Sequence, residues 1–196
     1  VPGLEKYWGT GTFMTEALTQ EALKALDKAK KYNQPFYLYM SHYAIHVPID
    51  KDVRFYDKYK KKGLSDKEAA YASLIEGMDK SLGDIMDWLE KNDNTIVIFM
   101  SDNGGYATGS GWRDEPLYTQ NFPLKCGKGS AYEGGIREPM IVRWPGTVQP
   151  GTRCNDYLII EDFYPSILEM AGIDDYDVPQ EIDGISFVPL LKQTKN

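Results

Sequence analysis

The run TIVIFMSDNGG, residues 95–105, constrains the fold more than any other stretch. Thr95 to Met100 is short, apolar and rich in β-forming residues, so it reads as a buried parallel strand. It stops at Ser101-Asp102-Asn103 and runs straight into Gly104-Gly105. An acid and an amide at the C-terminal end of a buried strand occupy the place where open α/β sheets bind ligands. Both side chains offer hard oxygen, which suits Ca²⁺ or Mg²⁺ better than Zn²⁺. The glycines let the backbone turn without a Cβ clash. A strand that simply ends in a polar turn is the competing reading, because Asp, Asn and Gly are ordinary turn residues.

The elements on either side extend this picture to a βαβ unit. Residues 36–41, FYLYMS, read as a strand, followed by His42 and the segment Tyr43 to Pro48. Ser65-Asp66-Lys67-Glu68 has the form of a capping box. It opens a long helix to about Lys91, with Ile75, Met78, Leu82, Ile85 and Leu89 as its apolar stripe. Asn92-Asp93-Asn94 then turns the chain into the Thr95 strand. A right-handed crossover between strands 36–41 and 95–101 makes them parallel. Their C-terminal ends then share one edge, with His46 and Asp102-Asn103 facing the same crevice.

Around this unit, a helix is expected over Thr19–Lys31, with lysines near its C-terminal dipole. Residues 51–62 form a basic, tyrosine-bearing stretch that reads as a solvated face. Residues 106–138 are a long irregular segment holding Trp112, Arg113, Gly127-Lys128-Gly129 and Glu133-Gly134-Gly135. A loop of that length is functional or disordered. Met140 to Trp144 and Tyr157 to Ile160 are further strand candidates. Asp162 is placed as the cap of a helix that ends at Gly172.

Composition excludes several partners. The 196 residues carry a formal net charge of -7, which argues against nucleic acid. No apolar run approaches the roughly 18 residues of a membrane span. The start, Val1-Pro2-Gly3, carries no signal peptide and no initiator Met, so the N-terminus is expected to be cut. Cys126 and Cys154 can pair or stay free, and compartment does not follow from them.

Several pieces together resemble the type I sulfatases. Phe99 to Gly105 resembles that family's metal-binding motif, and Gly127 to Pro139 its second signature. Tyr43 to Pro48 is similar to its Ala-x-His-x-Pro element. The segments at Asp162–Pro165 and Asp183–Ser186 resemble later landmarks. The order and spacing of these motifs run from about Thr15 to Leu191. The family's nucleophile segment, Cys/Ser-x-Pro/Ala-x-Arg, has no counterpart here, and neither has its early acidic pair.

The resemblance implies an alkaline-phosphatase-like α/β fold, a mostly parallel sheet flanked by helices, incomplete in this chain. Residues 1–196 would be a partial catalytic domain, without the nucleophile-bearing N-terminal portion and a C-terminal subdomain. It implies hydrolysis of aryl or carbohydrate sulfates. Asp102 and Asn103 would be ligands of Ca²⁺ (or Mg²⁺), and a formylglycine outside this chain would be the nucleophile. Lys128 would contact the sulfate, and His46 would hold the sulfate or protonate the leaving oxygen. His42, Glu133, Gly134, Gly135 and Asp183 are expected to be structural, and Arg137 to pair with a buried carboxylate. Two oxygen ligands cannot hold Ca²⁺ tightly, so the isolated chain is expected to bind it weakly or not at all. Family members are exported to periplasm, lysosome or outside the cell. A phosphate or phosphonate ester hydrolase of the same superfamily, or a non-catalytic folded fragment, are the competing readings. A sheet edge left uncovered by missing strands would favour self-association.

Overall fold

The computed structural model of the protein describes residues 2–91, 94–107 and 119–193. Asn92, Asp93, Trp112 and Arg113, singled out above, lie outside them. The chain divides into two compact units, residues 1–93 with 101–139, and residues 94–100 with 140–196.

The first unit is built on helices α1 (Met14–Lys31), α2 (Tyr56–Lys61) and α3 (Asp66–Glu90). The capping box is present: Ser65 Oγ accepts from Glu68 N–H, and Ser65 N–H donates to Glu68 Oε2 (3.0 Å). Helix α1 begins at Met14 rather than Thr19. Thr15 and Thr19 are poor helix formers, but both are buried, and Thr19 Oγ1 donates to Thr15 O (2.7 Å) and meets Ser81 Oγ on α3. Tertiary packing therefore overrides propensity in the first two turns.

Helices α1 and α2 both pack on α3, and of its expected apolar stripe Leu89 is buried and Met78, Leu82 and Ile85 are half-buried. The buried face runs through Ala70, Ser73, Leu74, Gly77 and Ser81, while Ile75 is 40% exposed. Small residues let the loop before α2 come close. The Asp52 side chain, fully buried, accepts from Arg54 Nε (2.9 Å) and Nη2 (2.6 Å), and Asp52 N–H donates to Ser73 Oγ (3.0 Å). A Cβ on Gly77 would sit 2.5 Å from Asp52 Oδ2. Arg54 also reaches Glu16 on α1 (3.1 Å), and Lys58 reaches Glu76 (2.6 Å). The basic stretch is thus partly a packing element rather than a solvated face.

Residues 36–41 are extended but carry no ladder partner among the described residues. Phe36, Tyr37, Leu38 and Tyr39 are exposed, and Phe36 packs edge-on to Trp88 (6.3 Å).

In the second unit, β1 (Val97–Met100) pairs with β2 (Met140–Arg143), Val97 opposite Arg143 and Met100 opposite Met140. This ladder is antiparallel, and it is the one sheet among the described residues. The parallel pairing expected from the βαβ pattern is absent from it. Hydrophobic pattern identifies a strand but does not choose its partner. Tyr157 to Ile159 forms no strand, and Ile160–Asp162 is a 3₁₀ turn leading into α5 (Phe163–Met170).

Asp162 does not cap α5 with its side chain. Its carboxylate instead accepts from Ile159 N–H (3.0 Å) and Ile185 N–H (2.8 Å), tying the 183–187 segment to the helix start. Ser166 Oγ donates to Asp162 O and accepts from Phe187 N–H (2.8 Å). Phe187 and Val188, at the start of α6 (Val188–Leu191), form this unit's core beside Phe163 (5.2 Å between ring centres). Gly172, at φ +71°, ends α5 where the sequence placed its stop. No helix among the described residues is long and apolar enough to cross a membrane.

Candidate active site

The turn after Met100 and the loop before α4 (Glu133–Ile136) meet in the first unit, backbone against backbone. Gly104 N–H donates to Gly135 O (3.2 Å), and a Cβ on Gly104 would lie 1.8 Å from Gly134 O. Gly134 N–H donates to Lys125 O (2.9 Å), and a Cβ on Gly134 would lie 2.2 Å from Cys126 O. Gly127 is pressed on Gly105 in the same way, 2.2 Å from its oxygen to a hypothetical Cβ. These glycines are required by close approach, not by positive φ. Gly134 and Gly135 shape this loop, as the sequence led one to expect. Arg137, however, pairs with Glu133 (3.1 Å) at the surface, both half-exposed, rather than with a buried carboxylate.

One side chain fastens the junction. Asn121 Oδ1 accepts from Gly105 N–H (3.0 Å), and its Nδ2 donates to Gly105 O (2.8 Å) and Cys126 O (3.0 Å). Lys128 N–H donates to Gly105 O (3.0 Å), as does Ala107 N–H (2.7 Å). The sequence marked residues 106–138 only as a functional loop. Its one local signal for Asn121 is an amide ahead of Phe122-Pro123, where a turn is expected.

Three of the four candidate residues converge on this junction. Asp102 is exposed, with Asn103 half-buried beside it. Asn103 Nδ2 donates to Gly104 O (3.1 Å), which leaves the amide oxygen for the acceptor role. Ser101 Oγ donates to Asn103 O (2.8 Å) and steadies the turn. Lys128 follows Gly127, half-buried. Two adjacent hard-oxygen donors fit one side of a Ca²⁺ or Mg²⁺ shell. Among the described residues no group of three or more His, Cys, Asp and Glu could complete it.

The sequence did not single out Glu138. Its Oε1 is buried with no hydrogen-bond partner among the described residues. Burial first, and the Asp102 carboxylate second, push its carboxyl above the usual range.

His46 lies on a separate loop of the same unit, held by His46 N–H donating to Tyr43 O (2.9 Å). Its Nδ1 is 2.8 Å from Val47 O. A carbonyl only accepts, so Nδ1 carries the proton, which leaves Nε2 of this exposed residue for the acceptor role. His42 is different. Burial lowers its affinity for a proton, its Nε2 stands 3.4 Å from Ser81 Oγ, and its Nδ1 is buried without a partner among the described residues. That environment suits a neutral, structural imidazole. Both cysteines are free, Cys126 half-buried and Cys154 exposed.

Comparison with known proteins adds the family. A family profile described as Sulfatase matches residues 2–173. The chain is 36% identical over 191 residues to "Uncharacterized sulfatase YdeN" of Escherichia coli, covering 93% of this chain and 32% of that protein. It is 33% identical over 204 residues to "Sulfatase" of Formosa agariphila, covering 94% and 35%. Among solved structures, "Crystal structure of Ps i-CgsB in complex with k-i-k-neocarrahexaose" superposes with a TM-score of 0.81 at 33% identity, covering 94% of this chain and 40% of that one. The chain therefore spans about a third of the length of the curated relatives it matches.

Proposed function

The chain belongs to the sulfatase family, and we propose that it is part of a catalytic domain that hydrolyses sulfate esters of carbohydrates or aryl alcohols. The observation that carries this reading is the glycine junction. It brings the segments that carry an oxygen-donor pair, Asp102-Asn103, and a cation, Lys128, into one hydrogen-bonded piece of backbone. The relative solved in complex with k-i-k-neocarrahexaose supports the carbohydrate arm. Residues outside this chain would complete a mostly parallel sheet beside residues 36–41, which are extended and exposed.

In this proposal Asp102 and Asn103 hold a divalent cation, Ca²⁺ or Mg²⁺, through a carboxylate oxygen and the amide oxygen. A bound cation would supply Lewis-acid polarisation of the sulfate, and a formylglycine from outside these residues would supply the nucleophile. The Lys128 ammonium neutralises a sulfate oxygen as a compact charge. His46, with its Nδ1–H bonded to Val47 O, presents Nε2 to the ester. From there it holds a sulfate oxygen or delivers a proton to the leaving alcohol. The protein would act in an exported compartment.

The test is turnover of an aryl sulfate against the matching aryl phosphate, by the protein from its whole reading frame and by residues 1–196 alone. Sulfate release by the longer protein, with none from the 196-residue chain, is expected. Preferred phosphate release would move the protein to a neighbouring hydrolase class. No turnover of either ester by the longer protein would leave a non-catalytic module.

A further inference from the structure

We propose that Asn121 is a positioning residue that sets the spacing between the Asp102-Asn103 pair and Lys128; the inference rests on the sulfatase reading above. Its carboxamide spends both N–H groups and its oxygen on the junction, to Gly105 O, Cys126 O and Gly105 N–H. Gly105 directly follows the turn that carries Asp102 and Asn103, and Cys126 belongs to the loop that carries Lys128. One side chain therefore bonds to both pieces of backbone.

The junction needs such a clamp because of what it is made of. Gly104, Gly105, Gly127, Gly134 and Gly135 contribute no side chains, and glycine backbone loses more freedom on ordering than any other. A backbone that must pass within contact distance of another backbone cannot be stiffened by Cβ atoms, as the 1.8–2.2 Å approaches at Gly104, Gly127 and Gly134 show. Asn121 supplies the order from the side. Only an amide can do this here, since the junction presents one N–H and two carbonyl oxygens. A carboxylate would set negative charge against both carbonyls and have no proton to give. Asn121 touches neither the cation ligands' oxygens nor the lysine's ammonium in these contacts, so its effect is on geometry.

The test uses the protein from its whole reading frame, with N121D as the isosteric change and N121A as the truncation. Amide hydrogen exchange is read at Gly105 and Lys128 and, as an internal reference, at Leu26 and Leu74 in α1 and α3. Aryl sulfate turnover is read as kcat and KM across pH. N121A should lose protection at Gly105 and Lys128, and N121D, which keeps an acceptor for Gly105 N–H but repels Gly105 O, at Lys128, while the helical amides keep theirs. Its kcat should fall about 10–100-fold, the usual effect of removing a residue that orients a metal-site ligand, with a smaller change in KM. As pH falls, the introduced carboxyl takes up a proton and regains one donor. The deficit of N121D relative to the wild type should then shrink, whereas that of N121A should not. Unchanged exchange at Gly105 and Lys128, unchanged kcat, or a deficit of N121D that ignores pH would each overturn the proposal. If the wild type releases no sulfate, the sulfatase reading fails by itself. The exchange data then decide alone, with lost protection in N121D supporting the clamp and retained protection overturning it.

Discussion

Replacing Gly104 by alanine should destabilise the first unit, while the same substitution at Gly83 should stabilise it. A Cβ on Gly104 meets Gly134 O at 1.8 Å, Gly134 C at 2.7 Å and Gly135 Cα at 2.8 Å. All three are backbone atoms, so no flexible side chain can yield. An ordinary contact of roughly 3.5–4.0 Å requires one strand of the junction to move by well over an ångström. Overpacking of this kind costs about 1–3 kcal/mol, and more where the surroundings cannot relax. At about 2–4 °C per kcal/mol for a chain of this size, G104A should melt some 2–12 °C below the wild type. Gly83 is exposed in the middle of α3, with nothing within 4 Å of its hypothetical Cβ. There the gain is helix propensity, about 1 kcal/mol, and G83A should melt a few degrees higher. Thermal unfolding followed by circular dichroism reads both. A melting temperature for G104A equal to or above the wild type would refute the claim that the junction is closed by backbone contact.

Three further outcomes follow from the ion pairs and the site. D52A should cost about 1.5–3 kcal/mol in urea unfolding, because it removes a buried carboxylate and its charged hydrogen bonds while Arg54, partly exposed, keeps Glu16; a loss below about 0.5 kcal/mol would show the pair to be dispensable. Glu21 is held down from 4.5 to about 2 by hydrogen bonds from Lys24, then Lys6 and Tyr7. A carboxyl lowered in the folded state stabilises above its unfolded value, so this contribution is present above pH 4.5 and is lost as pH falls towards 2. E21Q should flatten that part of the acid-unfolding curve, modestly and less so in high salt because the groups are exposed, and superimposable curves would contradict it. Calorimetric titration of the isolated chain with Ca²⁺ should give weak binding or none; a tight isotherm abolished by D102A would mean that the chain itself completes the shell.

The parts of the fold written in local pattern were legible. Ser65 and Glu68 announce α3 because a capping box is a four-residue code, and Gly172 ends α5 because left-handed backbone favours glycine. Strands β1 and β2 follow from apolar runs closed by polar turns. Partners were not legible. Val97–Met100 looks the same in sequence whether its neighbour is parallel or antiparallel, and residues 36–41 look like a strand whether or not one is beside them. The buried face of α3 was read only in part: Leu89 is buried as expected, but Ser73, Gly77 and Ser81 carry no hydrophobic signal. They are buried for their size, which only the approach of Asp52 and α1 makes useful. At the site, Asp102, Asn103 and Lys128 stand out by motif. Asn121 does not, since its role is to hold backbone that lies far from it in sequence, and Asp52 is one acid among many until Arg54 is seen folded over it.

The most direct test of the account is a crystal structure of the protein from its whole reading frame, grown with Ca²⁺ and inorganic sulfate. The account predicts a cation bonded to a carboxylate oxygen of Asp102 and the amide oxygen of Asn103, with the anion against Lys128 Nζ and His46 Nε2. A cation bound elsewhere, or an anion that leaves Lys128 and His46 untouched, would contradict it.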